Sequence, residues 1–225
     1  MENLNLAVSV WKESDWTSND VVKFIKPHVY PNKIGHAGTL DPFAKGVLVL
    51  CIGKMTKEVS SIMDSKKEYL VKVYLGKRTD SLDVTGNITY IKKYIPQTDK
   101  KIKSILKDFE GTIDQIPPMF SALKINGTRL YTLARAGIII PRKPRKINIE
   151  KITLIRNNKK SIVISVRCGK GTYIRSLARD IANRLGTEGF VMELTRTKVG
   201  NFNEINSIDS KDLKNWLIYQ KLSQN

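Results

Sequence analysis

The chain has 225 residues, 41% of them hydrophobic, with 39 Lys and Arg against 21 Asp and Glu and a formal net charge of +18. That is enough apolar material for one substantial core or two small ones, which excludes disorder as the default, and the positive surplus points to a polyanionic partner: RNA, DNA or an anionic membrane. No apolar run approaches the roughly 18 residues of a spanning helix, and the opening MENLNLAVSV has no cationic segment followed by a long apolar one, so a soluble cytoplasmic protein is expected.

Ser18 precedes residues 19–30, where Val21, Val22, Ile25 and Val29 recur at helical spacing, and this predicts an amphipathic helix capped by Ser18. The segment GHAGTLDPFAKG, residues 35–46, is broken by Gly35, Gly38, Pro42 and Gly46 and reads as a loop leading into a buried strand over 47–52. In residues 68–75, Tyr69, Val71, Val73 and Leu75 alternate with Leu70, Lys72 and Tyr74, the period of a strand. Helices are expected over 99–109 and over 128–136, the second stopped by Gly137. Strands are expected over 146–156, 161–168 and 190–199, and a last helix over 211–219. Between the last strands, residues 172–185 place Ile174, Leu177, Ala178, Ile181, Ala182 and Leu185 on one helical face, keep Arg175, Arg179 and Arg184 off it, and end at Gly186. This order lacks a regular βαβ alternation and predicts an α+β fold on a mixed, mostly antiparallel sheet flanked by helices. With no repeat, low-complexity tract or Gly/Ser linker, one domain over 1–225 is expected.

Cys51 and Cys168 are far apart and form no Cys-x-x-Cys pair, and His28 and His36 are the whole histidine complement, so neither a disulfide framework nor a histidine-rich metal centre is expected. Chemistry must then rest on carboxylates, Tyr, Arg and Lys. Asp41 lies between Leu40 and Pro42, and a proline disfavours helical geometry in the residue before it, so the carboxylate is presented from a stiffened, extended segment. An isolated Asp-Pro also serves simply to start a turn. Arg175 follows the Gly-Lys-Gly turn of RCGKGTYIRSLARD and falls in the first turn of the helix. A guanidinium paired with Asp41 would hold that carboxylate ionised and aimed, yet an arginine there also suits a solvated face, and no spacing rule connects the two positions.

Four segments, GHAGTLDPFAKGVLVLCIGKMTK, KKEYLVKVYLGKRTDSLDVTG, QIPPMFSALKINGTRLYTLARAG and RCGKGTYIRSLARDIANRLG, occur in an order that resembles successive motifs of the bacterial tRNA pseudouridine-55 synthase family, TruB. The resemblance implies a pseudouridine synthase catalytic fold and an isomerase acting on the T-stem loop of tRNA, without cofactor or metal. It places the family's catalytic aspartate at Asp41, its base-stacking tyrosine at Tyr69 and its aspartate-pairing arginine at Arg175. It further implies substrate-binding roles for His36, which helps hold the flipped nucleotide, for Tyr173 and Leu194 in the base pocket, and for Lys12. Relatives follow that lysine with Pro and soon a Gly, whereas here it is followed by Glu13, Ser14, Asp15 and Trp16. Many relatives also carry a small C-terminal RNA-binding domain of the PUA type, and none is expected here after the final helix. A monomer is the simplest expectation.

The implied reaction breaks the N1 glycosidic bond of uridine and rejoins the base through C5. Asp41 acts either by adding to C1′ or by removing a sugar proton to give a glycal, and both routes stay open. Access to the uracil requires base flipping, with an unstacking cost of about a few kcal/mol that phosphate contacts can offset. Candidates for such contacts are Lys33, Lys45, Lys66, Lys67, Lys77, Arg78, Lys124, Arg129 and, in the densest stretch, Arg142, Lys143, Arg145 and Lys146. Three rival readings stand beside this one: an RNA chaperone without turnover, a guide-RNA-directed pseudouridine synthase, and a two-carboxylate glycosidase using Asp41 with Asp80 or Asp83.

Overall fold

The computed structural model of the chain describes residues 4–222, so the first three residues of the opening segment lie outside it. In chain order come β1 (Leu6–Lys12), α1 (Ser18–Val29), β2 (Ile34–His36), β3 (Lys45–Ile52), a 3-10 turn over Gly53–Glu58, α2 (Val59–Asp64) and β4 (Lys67–Leu75). The middle of the chain forms β5 (Lys77–Thr79), β6 (Ile88–Ile91), α3 (Asp99–Lys107), β7 (Gly111–Gln115), β8 (Lys124–Ile125), β9 (Thr128–Arg129), α4 (Leu130–Arg135), β10 (Arg145–Asn158) and β11 (Ser161–Cys168). Last are α5 (Ile174–Arg184), β12 (Gly189–Val199), β13 (Phe202–Asn203), β14 (Ile208–Asp209) and α6 (Leu213–Leu222). The architecture is α+β, as expected. Contacts divide it into two compact units, Met1–Leu70 with Leu194–Asn225, and Val71–Glu193.

In the first unit the strand order is β14, β1, β3, β12, with β2 beside β3 and β13 beside β12. β1 and β3 are antiparallel from Leu6 opposite Ile52 to Lys12 opposite Gly46, while β12 runs parallel to β3 and sets Arg196 opposite Gly46. β3 is buried on both faces. Leu48, Leu50 and Ile52 pack with Val21, Ile25 and Val29 of α1 and Leu213 and Leu217 of α6. Val47, Val49 and Cys51 pack on the other side with Ala37 and Val199. Cover on both sides explains why this strand reads as a continuous apolar run and not as an alternation.

The N-terminus of α1 departs from expectation. Thr17 is its cap, and a capping box joins Thr17 and Asp20 through two 3.0 Å hydrogen bonds. Ser18 is therefore released from capping, and its buried hydroxyl bonds to the 35–46 loop instead.

In the second unit the order is β12, β4, β11, β10, β7. β10 and β11 form a long antiparallel ladder with two register shifts, and β10 also pairs with β7. α3 lies against β10 and α5. α5 buries Ile174, Leu177, Ala178, Ile181 and Ala182, the face that its spacing predicts, but it buries Arg175 and Ser176 as well. The helix expected over 128–136 is shorter, because Thr128 and Arg129 pair with Ile125 and Lys124 in a small hairpin before α4 begins. Cys51 and Cys168 are both buried thiols. Among the described residues no helix is long and apolar enough to cross a membrane.

Candidate active site

Almost every peptide group from Ala37 to Ala44 is tied down. Ala37 N donates to Val49 O at 2.8 Å, extending the pairing of β2 with β3. The Ser18 hydroxyl accepts from Leu40 N at 2.9 Å and lies 3.3 Å from Leu40 O, so it takes both polar groups of the residue before Asp41. Ala44 N donates to Asp41 O at 3.1 Å, closing a turn with Pro42 at its second position, and Asp15 N donates to Pro42 O at 2.8 Å. The half-buried Asp41 is thus mounted on a backbone with little freedom.

Two buried cations complete the mount. Lys12 is fully buried at the end of β1, and its Nζ lies 2.6 Å from Ala44 O, 2.7 Å from Trp16 O, 2.8 Å from Glu13 O and 3.2 Å from Pro42 O. The ammonium is spent on carbonyls of the loops it holds. Burial above all, and the Arg196 charge second, push it down to about 8, against the opposing pull of Asp41, Asp15 and Glu13. Arg196, 1% exposed, donates from Nε to Val47 O at 2.7 Å, from Nη1 to Thr39 O at 3.2 Å and from Nη2 to Gly38 O at 3.1 Å. Lys12 and Arg196 sit on the strands either side of Gly46. Gly46 has φ +118°, and a Cβ there would stand 2.2 Å from Arg196 O, so only glycine lets the strands approach.

His36, at the end of β2, is half-buried, and its Nδ1 has no hydrogen-bond partner among the described residues. Burial first and the Arg196 charge second push its pKa below the usual histidine value, so the ring is neutral at pH 7. Tyr69 is half-buried on β4, and Leu194 is 5% exposed on β12. His36, Asp41, Tyr69, Leu194 and Lys12 all belong to the first unit.

Tyr173 and Arg175 belong to the second. Arg175 is only 6% exposed, so it is no solvated helix residue: Nη1 donates to Ser81 O at 3.0 Å, Nη2 to Phe120 O at 2.8 Å, and Nη1 lies 3.3 Å from Asp83 Oδ2. Asp83 in turn accepts from the Ser81 hydroxyl at 2.7 Å and from Thr85 N at 3.0 Å and its hydroxyl at 2.6 Å. Asp80 caps the same loop by accepting from Ser81 N and Asn87 N. Asp80 and Asp83, the two alternatives for a second glycosidase carboxylate beside Asp41, are both committed to this loop. Tyr173 caps α5, and the buried Gln115 amide grips its backbone, accepting from Tyr173 N at 2.8 Å and donating to Tyr173 O at 3.2 Å.

Sequence reasoning missed Arg196, Ser18, Asp83 as the partner of Arg175, and Gln115. For Arg196 a signal existed, since it lies two residues after Leu194 and shares the inward face of β12.

Solved structures with this fold include a crystal structure of a Cbf5-Nop10-Gar1 complex, at TM-score 0.75 and 28% identity, covering 99% of this chain and 57% of that one. A structure of an H/ACA RNP bound to a substrate RNA containing 2'-deoxyuridine matches at TM-score 0.70 and 26% identity, covering 97% of this chain and 55% of that one. The chain thus spans little more than half the length of these solved chains. The fold is that of the pseudouridine synthases. Residues 26–174 match the N-terminal domain of TruB family pseudouridylate synthases, and residues 175–225 match the tRNA pseudouridylate synthase B C-terminal domain. A tRNA pseudouridine synthase B of Clostridium tetani is 45% identical over 93% of this chain and 73% of its own length. One from Francisella philomiragia is 45% identical over 98% of this chain and 74% of its own. The chain belongs to the TruB family.

Proposed function

We propose that this enzyme converts uridine 55 in the T loop of tRNA to pseudouridine. The observation that carries the reading is the Asp41 mount: a carboxylate on a loop whose backbone is fixed by Ser18, Lys12 and Arg196, in a chain of this family. Asp41 acts at the ribose, by addition to C1′ or by removal of a sugar proton, and the N1 glycosidic electrons go to the uracil. The freed base turns while stacked on Tyr69 and C5 bonds to C1′, displacing the Asp41 carboxylate on the addition route or with Asp41 returning the sugar proton on the glycal route; the C5 proton is then lost, for which Tyr69 is a candidate acceptor, and N1 regains a proton. Arg175 is the guanidinium that the family resemblance assigns to orienting Asp41. Tyr173 and Leu194 are assigned to the walls of the base pocket, and neutral His36 to holding the nucleotide flipped. Lys12 is reassigned from substrate contact to positioning.

The net charge of +18 supplies docking to the folded T-stem loop through its phosphates, and a cytoplasmic monomer acting on tRNA is the simplest working form. The experiment is incubation with an unmodified tRNA transcript followed by site-resolved pseudouridine mapping. Product at position 55, lost in Asp41→Asn while RNA affinity stays within several-fold, supports the reading; turnover by Asp41→Asn would remove Asp41 as the reacting group. Activity that appears only with a copurifying small RNA would favour guide-directed targeting.

A further inference from the structure

Arg142, in the basic stretch of residues 141–146, has two guanidinium nitrogens, Nε and Nη1, shielded from solvent without a hydrogen-bond partner among the described residues. Leaving charged N–H groups in that condition is costly, so a native arginine held this way is completed by something. The neighbouring charge is of the wrong sign. Burial first, and Arg179 second, lower the Arg142 pKa, so the two guanidinium groups repel each other.

Arg179 itself is committed elsewhere. Its Nε and Nη2 each lie 2.8 Å from Asp180 Oδ1, and Nη2 also donates to Ile116 O at 3.3 Å. Two guanidinium groups and one carboxylate leave one positive charge, and that charge sits on the group with two unmet donors. A phosphodiester has the complementary properties: one negative charge, and oxygens that accept from charged N–H donors. Position adds to the argument. Arg179 follows Arg175 by four residues on α5, about one helical turn or ~5–6 Å along the axis. An anion bound beside it lies close to the assigned arginine.

We propose that Arg142 and Arg179 form a seat for one phosphodiester of the bound RNA, with Arg142 supplying an unmet N–H donor and its charge and Arg179 the second charge. The proposal rests on the RNA-modifying reading and narrows it: among the twelve candidate phosphate contacts named from the sequence, Arg142 is singled out by unmet donors in a shielded site.

The test uses the full chain, a T-stem loop RNA and the variants Arg142→Gln, Arg179→Gln and the double variant, each checked for a wild-type melting curve. Arg142→Gln is expected to weaken RNA binding about tenfold at low salt. The slope of log Kd against log salt should fall by about 0.7–0.9, the share of one phosphate. If both arginines serve one phosphate, the double variant loses less than the product of the single losses. A Kd and salt slope equal to wild type in folded Arg142→Gln overturn the seat, as does a fall in saturating rate with affinity intact. Should Arg179→Gln melt early, the decision falls to Arg142→Gln, which lies outside the helix. Wild-type turnover on the same RNA separates the two failures: without it the parent reading falls, and with it only the seat does.

Discussion

Asp83 Oδ2 lies 3.3 Å from Arg175 Nη1, and the two side chains are 5% and 7% exposed. Arg175 is therefore a preassembled part of the fold, not a mobile cation recruited by substrate. Breaking a buried pair from one side strands the other charge and costs about 3–5 kcal/mol, whereas replacing both partners with apolar groups of similar volume is near neutral. Asp83→Leu and Arg175→Met should each lower the urea midpoint strongly, and the double variant should recover much of the loss while staying inactive. A double variant no more stable than either single one would show that the pair is not the unit that matters here.

Lys12 gives pH opposite effects on rate and on stability. Below about pH 8 its ammonium binds the carbonyls around Asp41, and above it a neutral amine has one donor fewer and a lone pair facing oxygen. The single-turnover rate should then fall above about pH 8, by up to about tenfold per unit. Stability follows the other sign. The folded-state pKa lies below the ordinary 10.5, so between about 8 and 10.5 the unfolded chain holds a proton that the folded chain has released, and this group's contribution to stability rises with pH through that window. Urea midpoints of wild type and Lys12→Met, compared from pH 7 to 10, should converge on one pH trend only if another group is responsible.

Much of this architecture was legible because burial leaves a pattern. The helix face of α5 and the apolar run of β3 are periodicities that solvent imposes, and the Asp-Pro step marked a stiffened carboxylate before any fold was known. Partners distant in sequence left no such mark. Asp83 is 92 residues from Arg175. Ser18 and Thr17 are both capping types, and only the fold decides which hydroxyl caps the helix and which holds Leu40. β1 was missed because LAVSVWK mixes apolar and polar residues on a strand buried on both faces, with Ser9 and Lys12 turned inward.

Gly46 should tolerate no side chain. Gly46→Ala would place Cβ 2.2 Å from the Arg196 carbonyl oxygen and 2.8 Å from its nitrogen, in a backbone at φ +118°. Main chain on both sides prevents relaxation, so a loss beyond about 4 kcal/mol, at the far end of single substitutions, is expected. Gly171→Ala is the matched control. Its φ is +79° but nothing lies within 4 Å, so only the backbone penalty of about 1–2 kcal/mol applies. Thermal melts of both variants test the difference, and equal losses would mean that φ alone, without the close approach to Arg196, accounts for Gly46.

Gln115 offers a way to disturb Tyr173 without touching its ring. The amide donates to Tyr173 O and accepts from Tyr173 N, so Gln115→Glu keeps an acceptor but replaces the donor with an oxygen that repels the carbonyl. Losing a hydrogen bond in a site where Gln115 is 2% exposed costs about 1–3 kcal/mol. The cap of α5 then shifts, and a displacement of about 1 Å is enough to cost on the order of a hundredfold in rate where geometry sets the barrier. The expected result is a single-turnover rate lowered at least about tenfold, with RNA affinity changed far less. Epistasis separates positioning from general loosening. If Gln115 acts through Tyr173, the substitution should cost little further rate in a Tyr173→Phe background. Equal fractional losses with and without the tyrosine hydroxyl would instead assign Gln115 to the stability of α5 as a whole.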